Sequence, residues 1–513
     1  MTDPNHPNHP TPASFGAAMA ALLGGWAATA GVATVWARRP VVDAWSLPVP
    51  PLLLRAAAVL GAAAGLFVAA VPSLAGGRSH RRAPPWTGRV RGGGGAGWAG
   101  RRDLQLLAVD RPTAGRLTLG YARRTLLAGE RRASVVVLGP SQSGKTRGLA
   151  IPAVLEWSGP VVATSVKTDL VRDTIAGRAT RGTTWVYDPT GATGLATATW
   201  SPVAGCTTWQ GARRTAAWLC AGARSNVGTG DEDFWYAAAA KLLAPYLFAA
   251  AIARQDAGRL VQWIDSQEED EVAVILADHP EARAAAWASW NRDDRTRSSV
   301  FTTAEMVLEA FADPAVIRTA ATSEIDPARL LGGEQATLYV CAPGHEQERL
   351  RPVFAALLHT VITAAYDAGE LEPPLLIVLD EAANIAPLRD LDAIASTAAG
   401  HGIQLVTVWQ DLAQLRARYG ERAATVVNNH RAKIVLSGIS DPSTLDYASR
   451  LIGDAEVGEQ SDTIDAAGRR STTRSRRERR LAPGAELRRI GPGHGVLVYG
   501  HLRPARIRLR VPA

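Results

Sequence analysis

The sequence predicts an α/β protein, with a parallel sheet covered by helices on both faces, an all-helical insertion and an N-terminal pair of membrane-crossing helices. Three observations carry that prediction. Short β-branched runs alternate with helical stretches over most of the chain, the pattern of a buried parallel sheet. One run leads directly into Gly139-Pro140-Ser141-Gln142-Ser143-Gly144-Lys145-Thr146, which fits GxxxxGK[ST] with a strand before it and a helix after it. Two long apolar segments precede all of this.

The first apolar segment, 15–37, is uncharged and as a helix would span about 35 Å, enough to cross a bilayer. The second, 52–75, is interrupted only by Arg55, which can snorkel to the interface. The short connection between them predicts a hairpin, so that residues 1–76 form an anchor. Arg78, Arg81, Arg82, Arg89 and Arg91 follow it and place the remainder in the cytoplasm; Arg38 and Arg39 in the connection oppose that orientation. A signal peptide would carry a basic stretch before residue 15, and none is present. Two buried Ala-rich helices are the other reading. Residues 77–103, with RVRGGGGAGWAG, have the composition of a flexible linker.

A nucleotide-binding domain is expected in two parts, 104–205 and 298–513. In the first, SVVVL at Ser134 is the strand that delivers the glycine-rich loop. Glycines let successive backbone N–H groups turn toward phosphate oxygens, and the helix beginning near Lys145 adds its positive end. Lys145 is placed to reach β- and γ-phosphate oxygens, and Thr146 to ligate Mg²⁺. Further strands follow at Val161–Ser165 and Thr183–Tyr187.

Residues 206–297 break the rhythm and read as helices, with Pro245 expected to kink the stretch Phe234–Ile252. Phe234, Trp235 and Tyr236 are packing residues or contacts to a partner or DNA. In the second part, the apolar run Leu375–Leu379 ends in Asp380-Glu381. A metal ligand and a water-activating base must be adjacent there, so Asp380 is the expected Mg²⁺ ligand and Glu381 the expected base. Gly402–Trp409 is the next strand, with Gln410 at its tip as the candidate γ-phosphate sensor, or else the start of a helix. The segment 469–480, RRSTTRSRRERR, is read as a basic loop, either solvated or touching a phosphate backbone.

With 513 residues, 47% of them hydrophobic and only 20% charged, the chain can bury two or three cores and is not globally disordered. A net charge of +8 favours nucleic acid or an anionic membrane as partner. Cys206, Cys220 and Cys341 lack metal-ligand spacing and are expected to be reduced and buried.

These motifs together resemble the TraG/TraD-type coupling proteins of type IV secretion and conjugation. The resemblance rests on GPSQSGKT at Gly139, SVKTDLV at Ser165, YDPTG at Tyr187, FWYAAAAKLL at Phe234, RTRSSVFTT at Arg295, LLIVLDEAANIAPL at Leu375, HGIQLVTVWQDLAQL at His401 and NNHRAKIVLSG at Asn428. Asn384 and Pro387, after the acidic pair, are its most specific part. It implies a RecA-like domain with an all-α insertion, ATP and Mg²⁺ as cofactors, and a homo-hexamer. It further implies multi-pass anchoring in the cytoplasmic (inner) membrane with the ATPase domain in the cytoplasm. The implied partners are DNA, a relaxase and the secretion channel, and the implied activity is ATP-driven DNA transfer. Many members carry an arginine just before the Gly-Ile that opens the sensor strand and use it on a neighbouring subunit's ATP. Here that place reads Ala398-Ala399-Gly400-His401, and Arg422 and Arg431 are the candidates to replace it. Two other readings stand beside this one: an FtsK-type double-strand DNA translocase, and a cargo receptor in which ATP acts only as an assembly switch.

Overall fold

The computed structural model describes residues 97–224, 230–383, 388–464 and 470–510. Both apolar N-terminal segments, most of the expected linker, Asn384 and Pro387 lie outside the described residues.

The strands, in chain order, are β1 (Ala108–Val109), β2 (Thr118–Ala122), β3 (Thr125–Ala128), β4 (Val135–Leu138), β5 (Val161–Ser165), β6 (Thr184–Tyr187), β7 (Thr337–Cys341), β8 (Leu375–Leu379), β9 (Ile403–Trp409), β10 (Ala432–Leu436), β11 (Asp454–Ile464), β12 (Arg470–Arg480), β13 (His494–Tyr499) and β14 (Ala505–Arg508). Twelve of them form one sheet in the order β1-β3-β2-β14-β13-β10-β4-β9-β8-β5-β7-β6. From β10 to β6 every neighbouring pair is parallel, and from β13 outward the pairs are antiparallel. The parallel core is what the apolar runs predict; the antiparallel extension comes from the two ends of the folded region, where GVLVYG at Gly495 is strand-like in sequence and Ala505–Arg508 alternates exposed arginine with buried apolar residues.

Both faces of the sheet are buried, as the unbroken apolar strands require. Along β8, Leu375, Ile377 and Leu379 pack into one core while Leu376 and Val378 pack into the other. The first core is shared with a large helical block. The second holds helices Ile151–Glu156 and Asp169–Ala179, together with Leu509 from the end of the described chain.

The helical block starts at Trp209 and runs on to Leu331 before the chain re-enters the sheet at β7. The boundary expected at 297 therefore falls inside the helix Asp294–Leu308. Its central helix, Gly230–Ile252, passes through Pro245 as one element. Among the described residues Glu232–Ile252 is the one stretch long and apolar enough to cross a membrane, and most of it is buried inside the block. Trp235 and Tyr236 pack against the core, the Tyr236 hydroxyl donating to Ala223 O at 3.3 Å, whereas Phe234 is 56% exposed. All three cysteines are buried free thiols.

Two expectations are corrected. The described end of the linker is packed on the sheet: Ala99 N donates to Pro504 O at 2.9 Å, and the Arg506 guanidinium lies over the Trp98 ring at 4.3 Å. The basic segment is not a loop, since Arg470–Arg480 is β12, paired antiparallel along its length with β11 in a separate two-stranded sheet. Its periodic apolar face is missing, so nothing in its composition announces a strand.

Candidate functional site

The strand order brings the three predicted segments together. β9 lies between β4 and β8, so the chain leaving β9 emerges between the glycine-rich loop and the acidic pair. Backbone hydrogen bonds fix that junction on both sides. Gly139 N donates to Trp409 O at 3.0 Å, and Ala382 N donates to Val408 O at 3.2 Å. Gln410 thus sits at the seam of the two motifs with its side chain exposed. Its main-chain N–H donates to Gln414 Oε1 at 2.9 Å, and Asp411 caps the helix Leu412–Tyr419. Both readings of this position meet here: a strand tip and the residue before a helix cap.

The loop curls over the carboxyl end of β4. Gly144 has φ +89°, where a side chain is disfavoured, and Gln142 adopts φ +66° despite carrying one. Thr146 opens a helical turn, Thr146–Ala150, that continues into Ile151–Glu156. Lys145 is 8% exposed, and its ammonium donates back to the carbonyls of Gly139 and Pro140, the latter at 3.1 Å. Burial lowers its pKa, while the carboxylates of Asp380 and Glu381 pull it back up.

Asp380 is 4% exposed, and its Oδ2 accepts the Thr146 hydroxyl at 2.9 Å. Burial raises its pKa to about 6; Glu381 and Asp169 push the same way, and the Thr146 hydrogen bond and Lys145 oppose them. Glu381 follows with φ +61°, an unusual backbone for a glutamate. Such strain costs on the order of 1–3 kcal/mol and is stored at functional turns.

The residues present fit a polyphosphate with a divalent cation. Asp380 Oδ1 and Ser143 Oγ are both buried and have no hydrogen-bond partner among the described residues. A buried carboxylate oxygen left in that state is costly, and a cation between Asp380 and Thr146 would satisfy it. The Ser143 hydroxyl stands inside the glycine-rich loop. Asp169 and Asp411 were missed as contributors to the site's field. Asp169 raises the pKa of Asp380, and Asp411 supports the charge on Lys145. Each follows the end of a parallel strand by a few residues, which is the signal that could have found them.

Of the two arginines proposed for an in trans role, Arg422 is bound to Asp392 at 3.1 Å and to Arg389 O. Arg431 pairs with Glu130 at 2.7 Å and borders a cleft of about 610 Å³ that Ala399 also lines. It precedes β10, at the opposite end of the sheet from the glycine-rich loop.

Comparisons with known proteins accord with this geometry. The family described as "Type IV secretory system Conjugative DNA transfer" matches residues 100–508. The conjugal transfer protein TraG of Escherichia coli is 24% identical over 376 residues, covering 66% of this chain and 57% of TraG. TraG of Rhizobium radiobacter is 25% identical over 361 residues, covering 66% and 55%. The chain therefore spans less than three-fifths of the length of these relatives. Among solved structures, the unbound bacterial conjugative coupling protein TrwBdeltaN70 aligns at TM-score 0.64 and 18% identity, over 82% of this chain and 93% of that one. The plasmid coupling protein TrwB in complex with ADP and Mg²⁺ aligns at TM-score 0.64 and 19% identity, over 82% and 94%. At such identities the structural likeness establishes the α/β fold with its large, mostly parallel sheet.

Proposed function

We propose, from the premise that the chain belongs to the type IV secretory system conjugative DNA transfer family, the TraG/TraD-type coupling proteins, that it is a membrane-anchored, Mg²⁺-dependent ATPase that drives DNA from a relaxase complex into a type IV secretion channel. The observation that carries this reading is the Thr146–Asp380 contact beside two buried, unpartnered oxygens, Asp380 Oδ1 and Ser143 Oγ. β9 between β4 and β8 supports a RecA-like assignment for the domain, and TrwB, of like fold, is described with ADP and Mg²⁺.

In this reading Asp380 and Thr146 hold the cation, and Lys145 with the N–H groups of residues 139–146 holds the phosphates. Lys145 must first leave the carbonyl oxygens of Gly139 and Pro140, to which it donates here and which phosphate oxygens would replace. Glu381, turned by its left-handed backbone, orients a water and takes its proton. Gln410, tied to both motifs through β9, reports the state of the site to the helix Leu412–Tyr419. Bound Mg²⁺·ATP supplies the transferable phosphoryl group and the charge-neutralising cation. Arg431 lies at the far end of the sheet from its own loop, so it can serve only a neighbouring copy, as a homo-hexameric ring would require. Two apolar N-terminal helices anchor the assembly in the cytoplasmic membrane with the ATPase domain inside.

A second reading has one specific observation in its favour: no arginine stands at 398–401. ATP would then act as an assembly switch without turnover. Mating transfer frequency decides between them. Loss of transfer in both Lys145→Ala and Glu381→Gln, with protein still in the membrane, supports the motor. Transfer that survives Glu381→Gln supports the switch, and normal transfer in both variants removes the coupling ATPase reading altogether.

A further inference from the structure

β11 and β12 form an eleven-residue-per-strand ribbon that no third strand joins among the described residues. Such a two-stranded sheet is marginal in water by itself. It has almost nothing to bury. β12 carries no apolar residue, and β11 offers only Ala455, Val457 and Ile464. Both outer edges present backbone N–H and C=O groups ready to pair.

Its charges are sorted by strand. β11 holds Asp454, Glu456, Glu459 and Asp462 and no basic residue; β12 holds Arg470, Arg474, Arg476, Arg477, Arg479 and Arg480 with one acid, Glu478. The five carboxylates offset all but one of the six guanidiniums, so the ribbon as a whole is a poor ligand for a polyanion. Each edge is nevertheless strongly biased, one acidic and one basic.

We propose that the ribbon is a self-assembly element in which the β11 edge of one copy pairs with the β12 edge of the next. Pairing β11 with β11 would set acid against acid, and β12 with β12 would set arginine against arginine, both unfavourable across a ladder. Only β11 on β12 is complementary, and that contact is heterologous, which makes a ring when its rotation closes. Because β11 and β12 are antiparallel within a copy, repeating the hairpin about an axis along the strands makes every new contact antiparallel as well. The product is an up-and-down barrel of hairpins with no open edge. The cross-strand pairs within a copy, Arg476–Glu456 at 3.6 Å and Arg480–Asp454 at 3.4 Å, show the charge match that the intermolecular edge would repeat. The proposal does not depend on the nucleotide reading.

The test uses the full chain in membranes, as two differently tagged copies expressed together. Val457→Cys in one copy and Arg477→Cys in the other, with neighbouring positions scanned along each strand, should cross-link between tags. The β11/β11 and β12/β12 combinations should not. The native thiols are buried and will not compete. Reversing one strand (Arg476→Glu with Arg477→Glu) should abolish assembly, and reversing β11 as well (Glu456→Arg with Glu459→Arg) should restore it. Homotypic cross-links, no cross-link at any scanned pair, or no restoration by the double reversal would overturn the proposal. Loss of duplex-DNA gel shift in the single reversal, with no change in assembly, would assign the ribbon to nucleic acid instead. Nucleotide binding measured on the same variants keeps a failed ATP site distinct from a failed ribbon.

Discussion

The hydroxyl of Thr146 donates to the carboxylate of Asp380 at 2.9 Å, joining residues 234 positions apart in the chain. Asp380 is nearly buried, with its pKa raised to about 6, so its charge is held at a cost that protonation or a cation would relieve.

The pH dependence follows from that sign. A carboxyl whose folded pKa lies above its unfolded value contributes no penalty below about pH 4; its destabilisation grows between about pH 4 and 6 and is fully present above that. Asp380→Asn should therefore raise the nucleotide-free unfolding free energy at pH 8 by on the order of 1–3 kcal/mol, with little effect at pH 4. The same variant should lose Mg²⁺-dependent nucleotide affinity. Chemical denaturation at both pH values, with and without Mg²⁺·ADP, checks both.

Glu381→Gln should retain nucleotide binding and lose turnover by about 10²-fold or more, the usual contribution of a positioned base. A variant that loses affinity and turnover equally would mean that Glu381 shapes the turn rather than acting on water.

At Gln142, φ +66° suits glycine better than glutamine. Gln142→Gly should leave thermal stability unchanged or slightly higher, while Gly144→Ala, at φ +89°, should lower stability and nucleotide affinity together. Thermal melts with and without nucleotide distinguish the two.

A methyl group at Gly148 would meet Leu509 Cβ at 2.8 Å and Arg510 O at 3.2 Å. Arg510 in turn pairs with Glu156, at the end of the helix that follows the loop. Gly148→Ala should cost about 1–3 kcal/mol by overpacking and weaken nucleotide binding. A second change, Leu509→Ala, removes the Cδ1 that the added methyl would meet at 2.9 Å and should recover part of the loss in a double-mutant cycle.

Arg178 is fully buried and has no carboxylate partner among the described residues; it donates to Thr337 Oγ1 at 2.7 Å, Trp157 O at 2.6 Å, and Gly159 O and Gln335 O at 2.9 Å. Burial lowers its pKa to about 10. Arg178→Ala leaves several buried acceptors unsatisfied at once, at about 1–3 kcal/mol each before relaxation. The chain should fail to accumulate or unfold well below the wild type, as soluble yield and melting temperature would report.

The sequence by itself determined the parallel strands, because strands buried on both faces must be continuously apolar, and it marked Gly139–Thr146 and Asp380-Glu381 as candidate phosphate and cation residues, because such binding demands those residue types at strand ends. Strand order was decided only by the tertiary structure. Nothing local in Gly402–Trp409 says that it inserts between β4 and β8, yet that insertion is what puts Gln410 at the seam. The same holds for Leu509 and Arg510 bracing the loop helix, a contact across more than half the folded region, and for the left-handed backbone of Glu381. The basic segment at 470–480 was legible as charge but not as a strand, because its pairing rests on backbone hydrogen bonds and on acids in β11 rather than on an alternating apolar face. Local periodicity reports what a segment buries; which segments meet is fixed by packing among residues far apart in the chain.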